Sequence, residues 1–121
     1  MTKVNEIDAL ISRVMWLPLP TLTELSAELI KNRRGDQRYP VDSRGILYGS
    51  ALEQEQAVKV ANISRSGVGI ETPVPLRVGS MVNLVLDRTI ISGQVRWCRM
   101  TETTDFAAGI LAKRVGSIPP A

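Results

Sequence analysis

The spacing of apolar residues changes near residue 40, from a helical period to a strand period. Val4, Ile7, Ile11 and Val14 recur three and four residues apart, with Leu10 and Met15 beside them. That pattern predicts an amphipathic helix of about three turns over residues 3–15. Leu17-Pro18-Leu19-Pro20 ends it, because proline lacks an amide donor and restricts the residue before it. Thr21 and Glu24 form a capping-box signature, and Leu22, Leu25, Leu29 and Ile30 give a second apolar stripe. Lys31 stands where a helix C-terminus favours a cation. Two short helices cannot enclose a core, so they are expected to pack on the rest of the chain or on another subunit.

After Arg38, Tyr39-Pro40 and Asp42-Ser43 read as an extended, turning connection, and strands follow. Ile46, Tyr48 and Ser50 alternate with small residues, Val58 and Val60 alternate next, and Val68 and Ile70 follow Gly67. Val82, Leu84 and Leu86 share one face of a fourth strand. Ile91, Val95 and Trp97 share the inner parity of a fifth, and Phe106, Ala108 and Ile110 mark a sixth. Asp87-Arg88 reads as a hairpin turn without the preferred glycine. Residues 71–80 are the longest connection, held extended by Pro73 and Pro75 and turned by Gly79. Six short strands with no helical period between them predict an all-β body, a small antiparallel barrel or curled sandwich behind an N-terminal helical leader.

Composition narrows the chemistry. One domain of 121 residues buries a single modest core. Cys98 is the only cysteine, so no intrachain disulfide forms and a reducing compartment is expected. The sequence has no histidine, no metal-ligand cluster and no carboxylate pair spaced for acid–base work, which argues against an enzyme and against a bound metal. The N-terminal stretch lacks a continuous apolar region and carries Glu6 and Asp8, and no window is long enough for a membrane span. A cytoplasmic protein without membrane insertion is expected. Net charge is +3, unevenly distributed: residues 1–30 carry −2, residues 31–49 carry +3, and the remainder carries +2. The central excess is too small for a long nucleic-acid track and suits a small dianion.

That excess centres on Asn32-Arg33-Arg34-Gly35-Asp36-Gln37-Arg38. The spacing Arg34-x-x-x-Arg38 lets two guanidinium groups approach one ligand, one forking onto a phosphate while the other lies over a base. In Asn62-x-Ser64-x-x-Gly67 an amide and a hydroxyl read polar edges. Ile63 anchors that segment inward, and Gly67 admits a positive φ or a close backbone approach. The alternative readings are that the arginines form a solvated linker, and that Asn62 and Ser64 form a turn bonded to its own backbone.

Taken together, the two segments resemble the PilZ domain family, bacterial receptors for the second messenger cyclic di-GMP. The family signature is arginine, three residues, arginine, then aspartate or asparagine, one residue, serine, two residues, glycine. Arg34, Arg38, Asn62, Ser64 and Gly67 fill it without departure. Pro75-Leu76-x-Val78-Gly79, Gly93-x-Val95-x-Trp97 and Gly109-Ile110 are also similar to the family. The resemblance covers roughly residues 32–114 and implies a six-stranded antiparallel β-barrel with a mobile arginine loop. It further implies that Arg34 and Arg38 contact guanine bases and phosphates, that Asn62 and Ser64 bond a guanine edge or a phosphate, and that Gly67 keeps the surface open. In some members an arginine directly before the first signature arginine accompanies an intercalated ligand dimer. Arg33 occupies that place, which implies two ligands per domain.

Three segments are therefore expected: a helical leader over 1–31 acting as a lid, a self-association element or a protein-partner site, a barrel over 32–114, and a flexible tail over 115–121. Trp16 is either core or an interface anchor. Trp97 is expected in the core, with a ligand-side role as the alternative, Tyr39 packed on the barrel or stacked on a base, and Arg65, Arg96 and Arg99 as surface charges, with a contribution to the positive field as the alternative. The expected function is a non-enzymatic cyclic di-GMP receptor in which ligand binding orders the 32–38 loop and changes a protein-interaction surface. A small-barrel nucleic-acid binder is disfavoured by the shortage of stacking rings. A ligand-independent interaction domain is disfavoured because every signature position is filled.

Overall fold

The computed structural model describes residues 3–15, 38–50 and 52–118. The second apolar stripe, Trp16, Arg33 and Arg34 lie outside the described residues. The spacing of Val4, Ile7, Ile11 and Val14 forms helix α1, Lys3–Val14. Six strands follow: β1 (Tyr39–Tyr48), β2 (Gln56–Ile63), β3 (Gly67–Thr72), β4 (Met81–Leu86), β5 (Thr89–Met100) and β6 (Phe106–Ser117). They close into an antiparallel barrel in the order β1-β2-β3-β6-β5-β4, with β4 returning to β1. Closure gives every strand a neighbour on both sides.

Val58, Val60, Val68, Ile70, Val82, Leu84, Leu86, Ile91 and Val95 fill the barrel, as their alternation predicts. The first strand differs from the expected pattern. Its inward side chains are Val41 and the fully buried Leu47, while Ile46 and Tyr48 are 39% and 37% exposed. Register decides this, since Leu47 pairs with Leu84 and directly paired residues share a face. Ile46 pairs with Val85, and Val85 with Ile90, making an apolar row on the outer surface. Tyr39-Pro40 and Asp42-Ser43 are not a connection but the start of β1, with the register irregularity between Pro40 and Ser43 absorbing the turn.

The barrel has two capped ends. Residues 73–80 close one, where Leu76 is buried and its N–H donates to Cys98 Sγ at 3.4 Å. Helix α1 belongs to the other, with Ile11 and Met15 inside the strand core and Thr89 Oγ1 donating to Asp8 at 2.7 Å. The amphipathic stripe of α1 is thus used on the barrel, and Ala9, Ser12 and Arg13 face solvent. Strand β6 runs to Ser117, past the expected start of the tail, because Ser117 pairs with Thr89 and Ile118 exchanges two bonds with Arg88.

The two-residue link Asp87-Arg88 is the hairpin turn between β4 and β5, with Asp87 at φ 52°. Burial, and then the nearby Asp8 carboxylate, raise the Asp87 pKa above its ordinary 3.8. A carboxyl raised on folding favours the native state when protonated. That contribution is complete below pH 3.8 and is lost as pH rises through the raised folded value. Asp87→Asn keeps a residue tolerant of positive φ and removes the charge. It is expected to melt at a slightly higher temperature than the parent at pH 7 and at the same temperature near pH 3. Thermal melts at both pH values check this.

Candidate functional site

Two bulges build the site. On β2 the register slips between Val60 and Asn62, leaving Ala61 without a partner on β3. On β5 it slips between Val95 and Trp97, leaving Arg96 without a partner on β6. An inserted residue inverts the in–out alternation beyond it. Val60 and Val95 point into the core before the slips, and Ile63 and Cys98 pack inward after them. Asn62 and Trp97 are thereby turned to the outer surface. Trp97, expected in the core by simple parity, is displaced from it by the Arg96 bulge.

Asn62 and Trp97 end one row across four strands. Asn62 pairs with Gly69, Gly69 with Gly109, and Gly109 with Trp97. Glycine at both middle positions leaves a trough floored by backbone. A Cβ on Gly69 would stand 2.7 Å from Asn62 Nδ2 and 2.9 Å from Oδ1, so the amide lies across that glycine. A Cβ on Gly109 would collide with the Trp97 indole nitrogen, so the indole lies across the other. The Arg99 guanidinium sits 4.9 Å from the indole centroid, within cation–π range.

The turn from β2 to β3 forms the wall beside Asn62. The Ser64 N–H donates to the Gly67 carbonyl at 2.8 Å, and the Gly67 N–H donates to Ser64 Oγ at 3.2 Å. The Ser64 hydroxyl lies 3.3 Å from the same Gly67 carbonyl, so this side chain bonds its own turn. Gly67 does not have a positive φ. Glycine is required there because a Cβ would collide with the Ile110 carbonyl of β6. The turn also docks laterally, with the Ala112 N–H donating to the Ser66 carbonyl at 2.7 Å.

Arg38 directly precedes β1, whose Pro40 pairs with Asn62. That pairing brings the end of the arginine segment to the trough. Arg38, Asn62, Ser64 and Gly67 line one pocket of about 140 Å³, together with Gly69, Arg96, Trp97 and Gly109. Its described lining has two guanidinium groups and no carboxylate, a surface for an anion with a flat apolar part. Gly69, Arg96, Trp97 and Gly109 line the same pocket as the four residues expected from the sequence. Nothing in the sequence marks the bulges that recruit Arg96 and Trp97.

The PilZ domain family model matches residues 32–115. The chain belongs to the PilZ domain family. PilZ domains form a family of cyclic di-GMP receptors, and the match spans both polar segments, β1 to β5 and most of β6. No curated protein matches the chain. Among the described residues no cluster of histidine, cysteine or carboxylate side chains gathers to hold a metal, and no helix is long and apolar enough to cross a membrane.

Proposed function

We propose that this PilZ domain is a non-catalytic cyclic di-GMP receptor whose site comprises Arg33, Arg34, Arg38, Asn62, Ser64 and Gly67. The observation that carries the reading is the convergence of Arg38, Asn62, Ser64 and Gly67 on one pocket with a second arginine and no carboxylate among its described lining. Arg38 and Arg96 balance phosphate charge, the Asn62 amide reads a base edge, and Trp97 offers a face for stacking. Ser64 contributes chiefly by fixing the turn, since its hydroxyl is engaged with Gly67.

Pocket size supports a role for the arginine segment. About 140 Å³ is well below the ~300–1,000 Å³ of a site enclosing a drug-sized ligand. The barrel surface alone therefore takes part of a cyclic dinucleotide, and residues 32–38 cover the rest. Ligand binding fixes that segment against the barrel and changes the surface it offers to a protein partner or a second copy, through residues 1–31. Arg33 holds the second molecule of an intercalated ligand pair.

Calorimetric titration with cyclic di-GMP tests the reading, with binding at two ligands per domain expected. Absence of binding at high-micromolar ligand would overturn it, and a stoichiometry of one would remove the role of Arg33. Hydrogen exchange over residues 31–40 is expected to slow on ligand addition. Unchanged exchange rules out ordering of the segment.

A further inference from the structure

We infer that Asn62 admits adenine as well as guanine, so that the site accepts a cyclic dinucleotide with one guanine and one adenine besides cyclic di-GMP. This rests on the cyclic di-GMP reading of the pocket and concerns its base selectivity. The signature position accepts aspartate or asparagine, and the two side chains differ in hydrogen-bond chemistry. A carboxylate only accepts, whereas an amide offers one acceptor and one donor side by side.

The Watson–Crick edge of guanine presents the O6 acceptor beside the N1–H and N2–H donors. Adenine presents an N6–H donor beside the N1 acceptor. A carboxylate takes the two guanine donors together but sets lone pair against lone pair at adenine N1, which rejects adenine. An amide takes guanine through N1–H and O6, and takes adenine through N6–H and N1 after a half-turn about its own axis. That exchange is open only where nothing holds one end of the amide.

Asn62 meets this condition. Neither Oδ1 nor Nδ2 has a hydrogen-bond partner among the described residues. The amide lies across the bare backbone of Gly69, with its two ends nearly equidistant from the position a Cβ would take, 2.7 and 2.9 Å. The swap is isosteric and leaves the trough unchanged. Asn62 also carries no charge to pair with Arg38 or Arg96 in the same pocket, which leaves both for phosphates common to every cyclic dinucleotide.

The test is calorimetric titration of the full chain with cyclic di-GMP and with the 3′,5′-linked cyclic GMP–AMP dinucleotide. The two affinities are expected to lie within about tenfold of each other. Asn62→Asp is expected to widen that gap by about tenfold or more, the usual discrimination of one bidentate base contact. A parent gap wider than tenfold, or a gap equal in the parent and Asn62→Asp, overturns the inference and leaves the cyclic di-GMP reading standing. Failure of the parent to bind either ligand overturns that reading itself. Should Asn62→Asp fail to fold, the parent ratio decides, with Asn62→Ala as the second variant. Equal weakening of both ligands by Asn62→Ala supports the inference, and a loss confined to cyclic di-GMP overturns it.

Discussion

Replacing Arg38 with alanine is expected to weaken cyclic di-GMP binding by about 100-fold or more while leaving the melting temperature of the domain nearly unchanged. Arg38 is exposed, precedes β1 and has no ion-pair partner among the described residues, so the fold loses little without it. With ligand bound, the same guanidinium is expected to face phosphate or base in a pocket whose described lining lacks a carboxylate, so that its removal would leave an anion poorly compensated. Arg38→Lys keeps the charge but loses the planar fork, and is expected to recover only part of the affinity. Salt gives a second readout. Raising ionic strength should weaken the parent more than the alanine variant, because exposed charges are screened. Calorimetry of the three proteins at two salt concentrations checks all of this, and an Arg38→Ala affinity within threefold of the parent would exclude Arg38 from the site. Arg34→Ala is expected to match the Arg38→Ala loss on the signature alone.

What the sequence made legible follows from how each feature is encoded. Strands β2 to β5 announce their inner faces because valine, leucine and isoleucine recur there at every second position, mostly with polar or small residues between, and helix α1 is set by spacings of three and four. Strand β1 does not, since Ile46, Leu47 and Tyr48 offer apolar residues on both parities and only the pairing of Leu47 with Leu84 separates them. The site divides in the same way. Arg38, Asn62, Ser64 and Gly67, which line the pocket, are picked out in the sequence only when the two segments are read together against one family signature. The outward placing of Trp97 beside Arg96 is not legible in this way, because a bulge adds one ordinary residue and leaves no compositional mark. Gly69 and Gly109 become site residues only through pairings with Asn62 and Trp97 across neighbouring strands. The reason for Gly67 is likewise non-local, an Ile110 carbonyl far along the chain.

That carbonyl sets the largest expected effect on stability. Gly67→Ala should destabilise the domain by about 3 kcal/mol, the upper part of the range for forcing atoms into a filled space. The obstruction is backbone on the neighbouring strand, so no side chain can rotate away to relieve it. Relief requires β3 to part from β6 where Gly67 pairs with Leu111 and Val68 with Ile110, which also opens the core lined by Val68 and Ile110. Gly116 is the internal control. It lies on β6 with nothing within 4 Å of where a Cβ would stand and no left-handed φ, so Gly116→Ala should be neutral or slightly stabilising through a less flexible unfolded chain. In thermal melts the first substitution is expected to lower the midpoint by about 10 °C and the second to leave it in place. Equal midpoints for the two variants would mean that β3 does not approach β6 as closely as the Gly67 contact requires. Binding should fall with the same substitution, because the Ser64 hydroxyl is bonded to the Gly67 backbone and moves with it. Loss of affinity in a Gly67→Ala protein kept below its melting midpoint would then separate the displaced turn from simple unfolding.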